Sequence, residues 1–186
     1  SGSGKSSLLM LLGGLEQSSS GAVIAMGNDL AKMSEDALSR FRRSHMGIVF
    51  QAFHLIPTMT ALENVATPLE LAGERDAFAR AEVELCNVGL EHRIYNYPAQ
   101  LSGGEQQRVA LARAVVLKPN IILADEPTGN LDSQNGAAII NLLFQLREKY
   151  GSTLVLVTHD VALANRCDRV ISLSDGFIIS EKKGYH

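Results

Sequence analysis

Four segments far apart in the chain carry residue types suited to handling phosphate. Ser1-Gly2-Ser3-Gly4-Lys5-Ser6-Ser7 contains the last six positions of the pattern G-x-x-x-x-G-K-[ST]. Glycines there let backbone N–H groups wrap an anion, and a helix N-terminus adds its dipole. In that pattern Lys5 reaches the β- and γ-phosphates of a nucleotide, and Ser6 places a hydroxyl on Mg²⁺. Asp125 and Glu126 follow the apolar run Ile121-Ile122-Leu123-Ala124 and so stand at the carboxyl edge of a buried strand, where open α/β sheets gather ligands. Asp125 suits a Mg²⁺ ligand, directly or through water, and Glu126 suits a base for the attacking water, because phosphoryl transfer needs mainly positioning and charge neutralisation. A turn pair capping the segment before Pro127 is the alternative these two residues leave open. His159 follows a second apolar run, Leu154-Val155-Leu156-Val157-Thr158, and should emerge at the same edge. Leu101-Ser102-Gly103-Gly104-Glu105-Gln106-Gln107-Arg108 places a serine and two glycines at a helix start, which makes a second anion site from the same physics.

The elements that must position these groups alternate. A Gly/Ser-rich loop runs into a helix at residues 8–12, ended by Gly13-Gly14. A short strand and turn at residues 23–29 precede a polar helix at 34–44 and a buried strand at 47–50. Residues 60–71 form a helix that Pro68 kinks or ends, and Phe78, Ala81, Leu85 and Val88 recur at helical spacing. After Pro98 a helix of about sixteen residues is expected from the Ser-Gly-Gly turn, broken by Lys118-Pro119-Asn120. The two apolar runs read as parallel strands with a crossover helix at residues 132–150. Residues 169–173 and 177–179 flank Ser174-Asp175-Gly176 as a hairpin. The sum is an α/β fold with a mainly parallel sheet and a helical insertion at residues 52–114.

Composition bounds the partners. The chain has 186 residues, 46% apolar and 20% charged, so it can bury a core. Seventeen basic against twenty acidic residues give a net charge of −3, which argues against binding nucleic acid through bulk positive charge. No stretch approaches the roughly 18–20 apolar residues of a membrane helix. Cys86 and Cys167 stand in no metal or redox spacing and read as reduced thiols, which fits a cytosolic compartment. His45, His54, His92 and His186 show no paired metal spacing. With no initiating Met and the first glycine of the phosphate pattern due two residues before Ser1, the chain reads as a fragment.

Two phosphate sites in one small chain need a reason, and the ordered motif set supplies it. The sequence closely resembles the ATP-binding subunits of ABC transporters, whose signature is the run at Ser102, Gly103, Gly104, Glu105 and Gln106. Within that resemblance Gly2, Ser3, Gly4, Lys5, Ser6 and Ser7 belong to Walker A, Gln51 is the Q-loop glutamine, Asp125-Glu126 is the Walker B pair, Asn130-Leu131-Asp132 is the D-loop and His159 is the H-loop switch. Residues 53–58, 61–65 and 127–132 look like the lipoprotein-release and macrolide-export group, and most like its YbbA-type members.

The resemblance implies a P-loop NTPase (RecA-like) core from residues 1–51 and 115–186, with a helical signature subdomain at 52–114, all in one ABC ATPase domain. It implies ATP and Mg²⁺ as ligands, with Ser6, Gln51 and Asp125 at the metal, and Glu126 and His159 as the catalytic pair. Two copies would pack head to tail, the Ser102 region of one closing on the phosphates held by Lys5 of the other, with Asp132 communicating across the dimer. The partner would be an integral-membrane permease, received by the apolar stretch after Gln51, so the chain would sit on the cytoplasmic face of the bacterial inner membrane. Some of Phe53, Leu55 and Ile56 could equally be plain core. A soluble, non-transport ABC-type ATPase is the competing reading, but only about 95 residues separate Ser7 from Ser102, with no heptad run and no basic block. A nucleotide-sensing switch without turnover is disfavoured by the presence of both Glu126 and His159.

Overall fold

The computed structural model describes residues 4–183. At its centre lie three short parallel strands in the order β3 (Met46–Val49), β4 (Ile121–Asp125) and β5 (Thr153–Val157). Val49 pairs with Ala124 and Asp125 with Val157, so the three strands end at nearly the same level. Side chains alternate across the sheet with the period of two that a pleat imposes. Ile122 and Ala124 of β4 join one core, with Leu154 and Leu156 of β5 packed against it, while Leu123 joins a second core flanked by Ile121, Val155 and Val157. Covering on both faces is why these strands read as unbroken apolar runs.

One face is covered by α1 (Lys5–Leu12) and α2 (Glu35–His45), through Leu9, Leu38 and Phe41. Helix α2 starts at an Ser34 cap, carries Glu35 and Asp36 in its first turn and Arg42, Arg43 and His45 in its last, which matches its dipole at both ends. Between α1 and α2 lies a two-residue hairpin of β1 (Ile24–Ala25) and β2 (Asn28–Asp29).

The core on the other face is shared with α3 (Ala61–Leu71), α4 (Ala77–Asn87), α5 (Gly103–Val115) and α6 (Ser133–Tyr150), of which α5 packs on β3. Helices α3, α4 and α5 pack on one another, and their core is continuous with that of the sheet. Helix α3 begins at a reciprocal capping box between Thr60 and Glu63 and runs through Pro68 to Leu71, so of the two effects expected of Pro68 the end of the helix does not occur. In α4 the buried stripe is Ala77, Ala81 and Leu85, continued by Val88, whereas Phe78 is 46% exposed. The expected stripe was therefore one residue out at its start. Helix α5 is thirteen residues long, shorter than expected, because Val116 caps it before the Lys118-Pro119 break. It crosses β3 so closely that a Cβ on Gly47 would run into the Ala114 carbonyl, which only glycine permits.

A four-residue helix, α7 (Val161–Ala164), follows Asp160 and leads into the antiparallel hairpin β6 (Arg169–Ser174) and β7 (Phe177–Lys183). Its turn lies beside Gly4: an added Cβ there would sit 3.8 Å from the Gly176 Cα.

Candidate functional site

The sheet register brings the candidate residues to one edge. Gln51 lies two residues past the end of β3, Asp125 and Glu126 close β4, and His159 lies two residues past β5. Helix α1 starts at the same level: Gly4 takes the left-handed conformation (φ 82°) that opens it, and among the described residues no side chain caps its N-terminus. That leaves the start of α1 suited to an anion. Gly2 and Ser3 lie outside the described residues. Ser6 Oγ donates to Asp125 Oδ1 at 3.1 Å, joining residues 119 positions apart. A hydroxyl beside a carboxylate is a hard-oxygen donor set of the kind Mg²⁺ takes when substrate phosphates and water complete its shell. Among the described residues no group of three or more His, Cys, Asp or Glu side chains could hold a metal.

Glu126 is held in an unusual backbone. Its φ is 45°, left-handed for a residue with a Cβ, and it precedes proline. Its N–H donates to Val157 O at 3.0 Å and its own carbonyl accepts from Gly129 N at 2.9 Å. The effect is to swing its carboxylate under His159, whose Nδ1 lies 2.9 Å from both oxygens. The Glu126 side chain is 19% exposed and that of His159 79%, so the carboxylate is shielded and the imidazole is open.

Gln51 is exposed and meets the 127–132 turn: its Nε2 donates to Asn130 Oδ1 at 3.3 Å, and Asn130 Nδ2 donates to the Gln51 carbonyl at 2.9 Å. Asp132 caps α6, accepting from the N–H groups of Gln134 and Asn135 and from Asn135 Nδ2 at 2.6 Å. The Asn135 backbone and amide, followed by Gln134, hold the Asp132 carboxyl below the usual aspartate range.

The Ser102 turn forms a group of its own. Ser102 Oγ accepts from Glu105 N, and Glu105 Oε2 accepts from Ser102 N at 2.8 Å. Arg93 Nε donates to Glu105 at 3.1 Å. These bonds, that of the Ser102 N–H first, draw the Glu105 carboxyl below the usual glutamate range. Gln106 Nε2 donates to Leu101 O. Gly103 and Gly104 pack against the start of α6, where added Cβ atoms would stand 3.3 Å from Leu131 and 3.2 Å from Asn135.

Several side chains that tie these pieces together had no sequence signal beyond their type. Buried Gln107 donates to Pro127 O at 2.7 Å. Arg113 donates to the carbonyls of Phe53 and His54 at 2.8 and 2.7 Å, pinning two left-handed residues, and burial lowers its guanidinium pKa. Leu55 packs on the core, Phe53 is half-buried and Ile56 is exposed.

Comparison with known proteins gives one consistent family. The model of the ABC transporter family matches residues 1–129. The uncharacterized ABC transporter ATP-binding protein YbbA of Escherichia coli K12 is 53% identical over 183 residues, covering 97% of this chain and 80% of that protein. The lipoprotein-releasing system ATP-binding protein LolD of Idiomarina loihiensis is 47% identical, covering 98% and 81%. Among solved structures, the dimeric structure of MJ0796, a bacterial ABC transporter cassette, superposes with a TM-score of 0.91 at 43% identity, covering 100% of this chain and 83% of that one. The dimeric post-hydrolysis state of the MJ0796 cassette bound to ADP and Pi gives 0.89 at 42% identity, covering 99% and 82%.

Proposed function

Because this chain belongs to the ABC transporter family, we propose that it is an ATP-hydrolysing motor subunit whose working site is shared between two head-to-tail copies. The observation that carries the reading is the meeting of Ser6 with Asp125, alongside Glu126 under His159, at one sheet edge next to the start of α1. Lys5, Ser6 and Ser7 bind the phosphates of ATP, together with the backbone at Gly2, Ser3 and Gly4. Mg²⁺ is held by Ser6 and Asp125, with Gln51 alongside; when bound it neutralises phosphate charge. Glu126 orients the attacking water and takes its proton, and His159 keeps that carboxylate in place and faces the γ-phosphate.

The Ser102 turn, with Gly103, Gly104, Glu105 and Gln106, presents a helix N-terminus that closes on the ATP of the second copy. Asp132, at the start of α6 beside Asn135 and Gly104, carries the contact between copies. Residues 1–51 and 115–186 act as the nucleotide-binding core, and 52–114 as the helical signature subdomain. Among the described residues no helix is long and apolar enough to cross a membrane. The motor acts on a separate integral-membrane permease from the cytoplasmic face, a reading supported by the LolD relative, whose name places an ATP-binding protein in a lipoprotein-releasing system.

Light scattering with Mg-ATP tests the shared site. A Glu126→Gln protein is expected to form a dimer that Ser102→Arg abolishes while nucleotide binding persists. A normal dimer in the Ser102→Arg variant would contradict the arrangement.

A further inference from the structure

Gln107 lies on α5 one residue beyond the signature positions and is fully buried. Its Nε2 donates to Pro127 O at 2.7 Å, while its Oε1 is buried without a hydrogen-bond partner. As core filling this is a poor choice: a desolvated, unpaired acceptor costs stability that Leu or Met of similar size would not. What the amide supplies, and an apolar chain cannot, is the bond to Pro127.

That bond lands on the strained turn that aims Glu126. A left-handed residue before proline persists only where its surroundings over-determine it. Val157 O and Gly129 N fix the two sides of Glu126 from the sheet and from the turn itself. The Gln107 bond fixes the next carbonyl from a different body, the helix that begins at Ser102.

We propose that Gln107 is a positioning residue for hydrolysis, tying the aim of the Glu126 carboxylate to the placement of the signature helix through the Pro127 carbonyl. The inference rests on the reading of Glu126 as the base. It gives one chain a direct link between the helix that faces the second copy's phosphates and the base that acts on its own.

The test is a double-mutant cycle with Gln107→Met, Gln107→Leu and Glu126→Gln, measured by phosphate release, nucleotide titration and thermal unfolding. Both Gln107 variants are expected to lose about 10- to 100-fold in kcat, as a small misplacement of a catalytic group does, with half-saturating ATP within about threefold. Their Tm is expected to stay within about 3 °C of the wild type, since the loss of the bare Oε1 offsets the loss of the donor to the Pro127 carbonyl. In the Glu126→Gln background the same changes should cost nothing further. Wild-type kcat in both Gln107 variants, an equal loss on both backgrounds, or a loss that follows a fallen Tm would overturn the inference. If Glu126→Gln alone kept wild-type turnover, the general-base reading would fail first. If it abolished turnover while both Gln107 variants remained fully active, the inference alone would fail.

Discussion

His159 Nδ1 sits 2.9 Å from each carboxylate oxygen of Glu126, although the two residues leave neighbouring strands 33 positions apart. An ionised carboxylate can only accept, so Nδ1 is the donor and Nε2 is left for other partners. The imidazole thus fixes the side chain that the strained Glu126 backbone has already aimed. His159→Ala is expected to lower turnover about 100-fold while leaving ATP affinity within about threefold. Phosphate release and nucleotide titration check this, and a variant with undiminished turnover would contradict it.

Gly129 faces Gln51. A Cβ there would stand 2.5 Å from Gln51 Nε2 and 2.8 Å from its Cδ, so Gly129→Ala must push the amide off Asn130. Gln51 is exposed and its side chain can swing, so the fold should hardly notice. The expected result is a Tm within about 2 °C of wild type but a roughly 10-fold fall in turnover. Equal turnover would show that Gln51 works without its Asn130 contact.

Tyr150 closes α6 against α4. Its hydroxyl donates to Glu84 Oε2 at 2.5 Å, and Glu84 is 5% exposed with Oε1 unpartnered. Burial first, then the Glu84 carboxylate, pushes the Tyr150 hydroxyl well above the usual tyrosine range, so it stays a donor at any working pH. Tyr150→Phe leaves the buried carboxylate with Asn87 alone and is expected to cost about 1–3 kcal/mol. In a chain of this size that lowers Tm by roughly 3–10 °C. Adding Glu84→Leu should recover part of the loss, because the buried carboxylate is then gone.

Glu105 gives the signature helix a pH dependence. Its folded carboxyl is drawn below the usual range by the Ser102 N–H, the Ser102 hydroxyl and Arg93. A lowered folded value means that this stabilisation is present above the ordinary glutamate value of about 4.3 and is lost as pH falls through the folded value. The Tm gap between wild type and Glu105→Gln should therefore be constant from neutral pH down to about 5 and close below about 4. A gap that persisted in acid would show that the charge is not what caps the helix.

Much of the framework is legible in the sequence because local physics sets it. The apolar runs at residues 121–124 and 154–157 read as buried strands since both faces of the sheet are covered, and their ends place Asp125, Glu126 and His159 at one edge. Ser34, Thr60, Ser102 and Asp132 are cap residues by type, and each caps the helix that follows it. What local spacing cannot encode is where a long side chain lands. Gln107 on Pro127, Arg113 on Phe53 and His54, and Asn130 on Gln51 join positions 20 to 79 residues apart. The left-handed turn at Glu126 was equally hidden, since nothing in Asp-Glu-Pro announces a positive φ. Phe78 misled because α4 buries Ala77 and Ala81 close against neighbouring helices and leaves the ring outside.

Steady-state phosphate release from Mg-ATP by the wild type and by Glu126→Gln, with ATP affinity measured in parallel, tests the motor reading most directly. The variant should lose about 10²- to 10⁴-fold in turnover while binding ATP within about threefold of wild type. Wild-type turnover without the Glu126 carboxylate would contradict it.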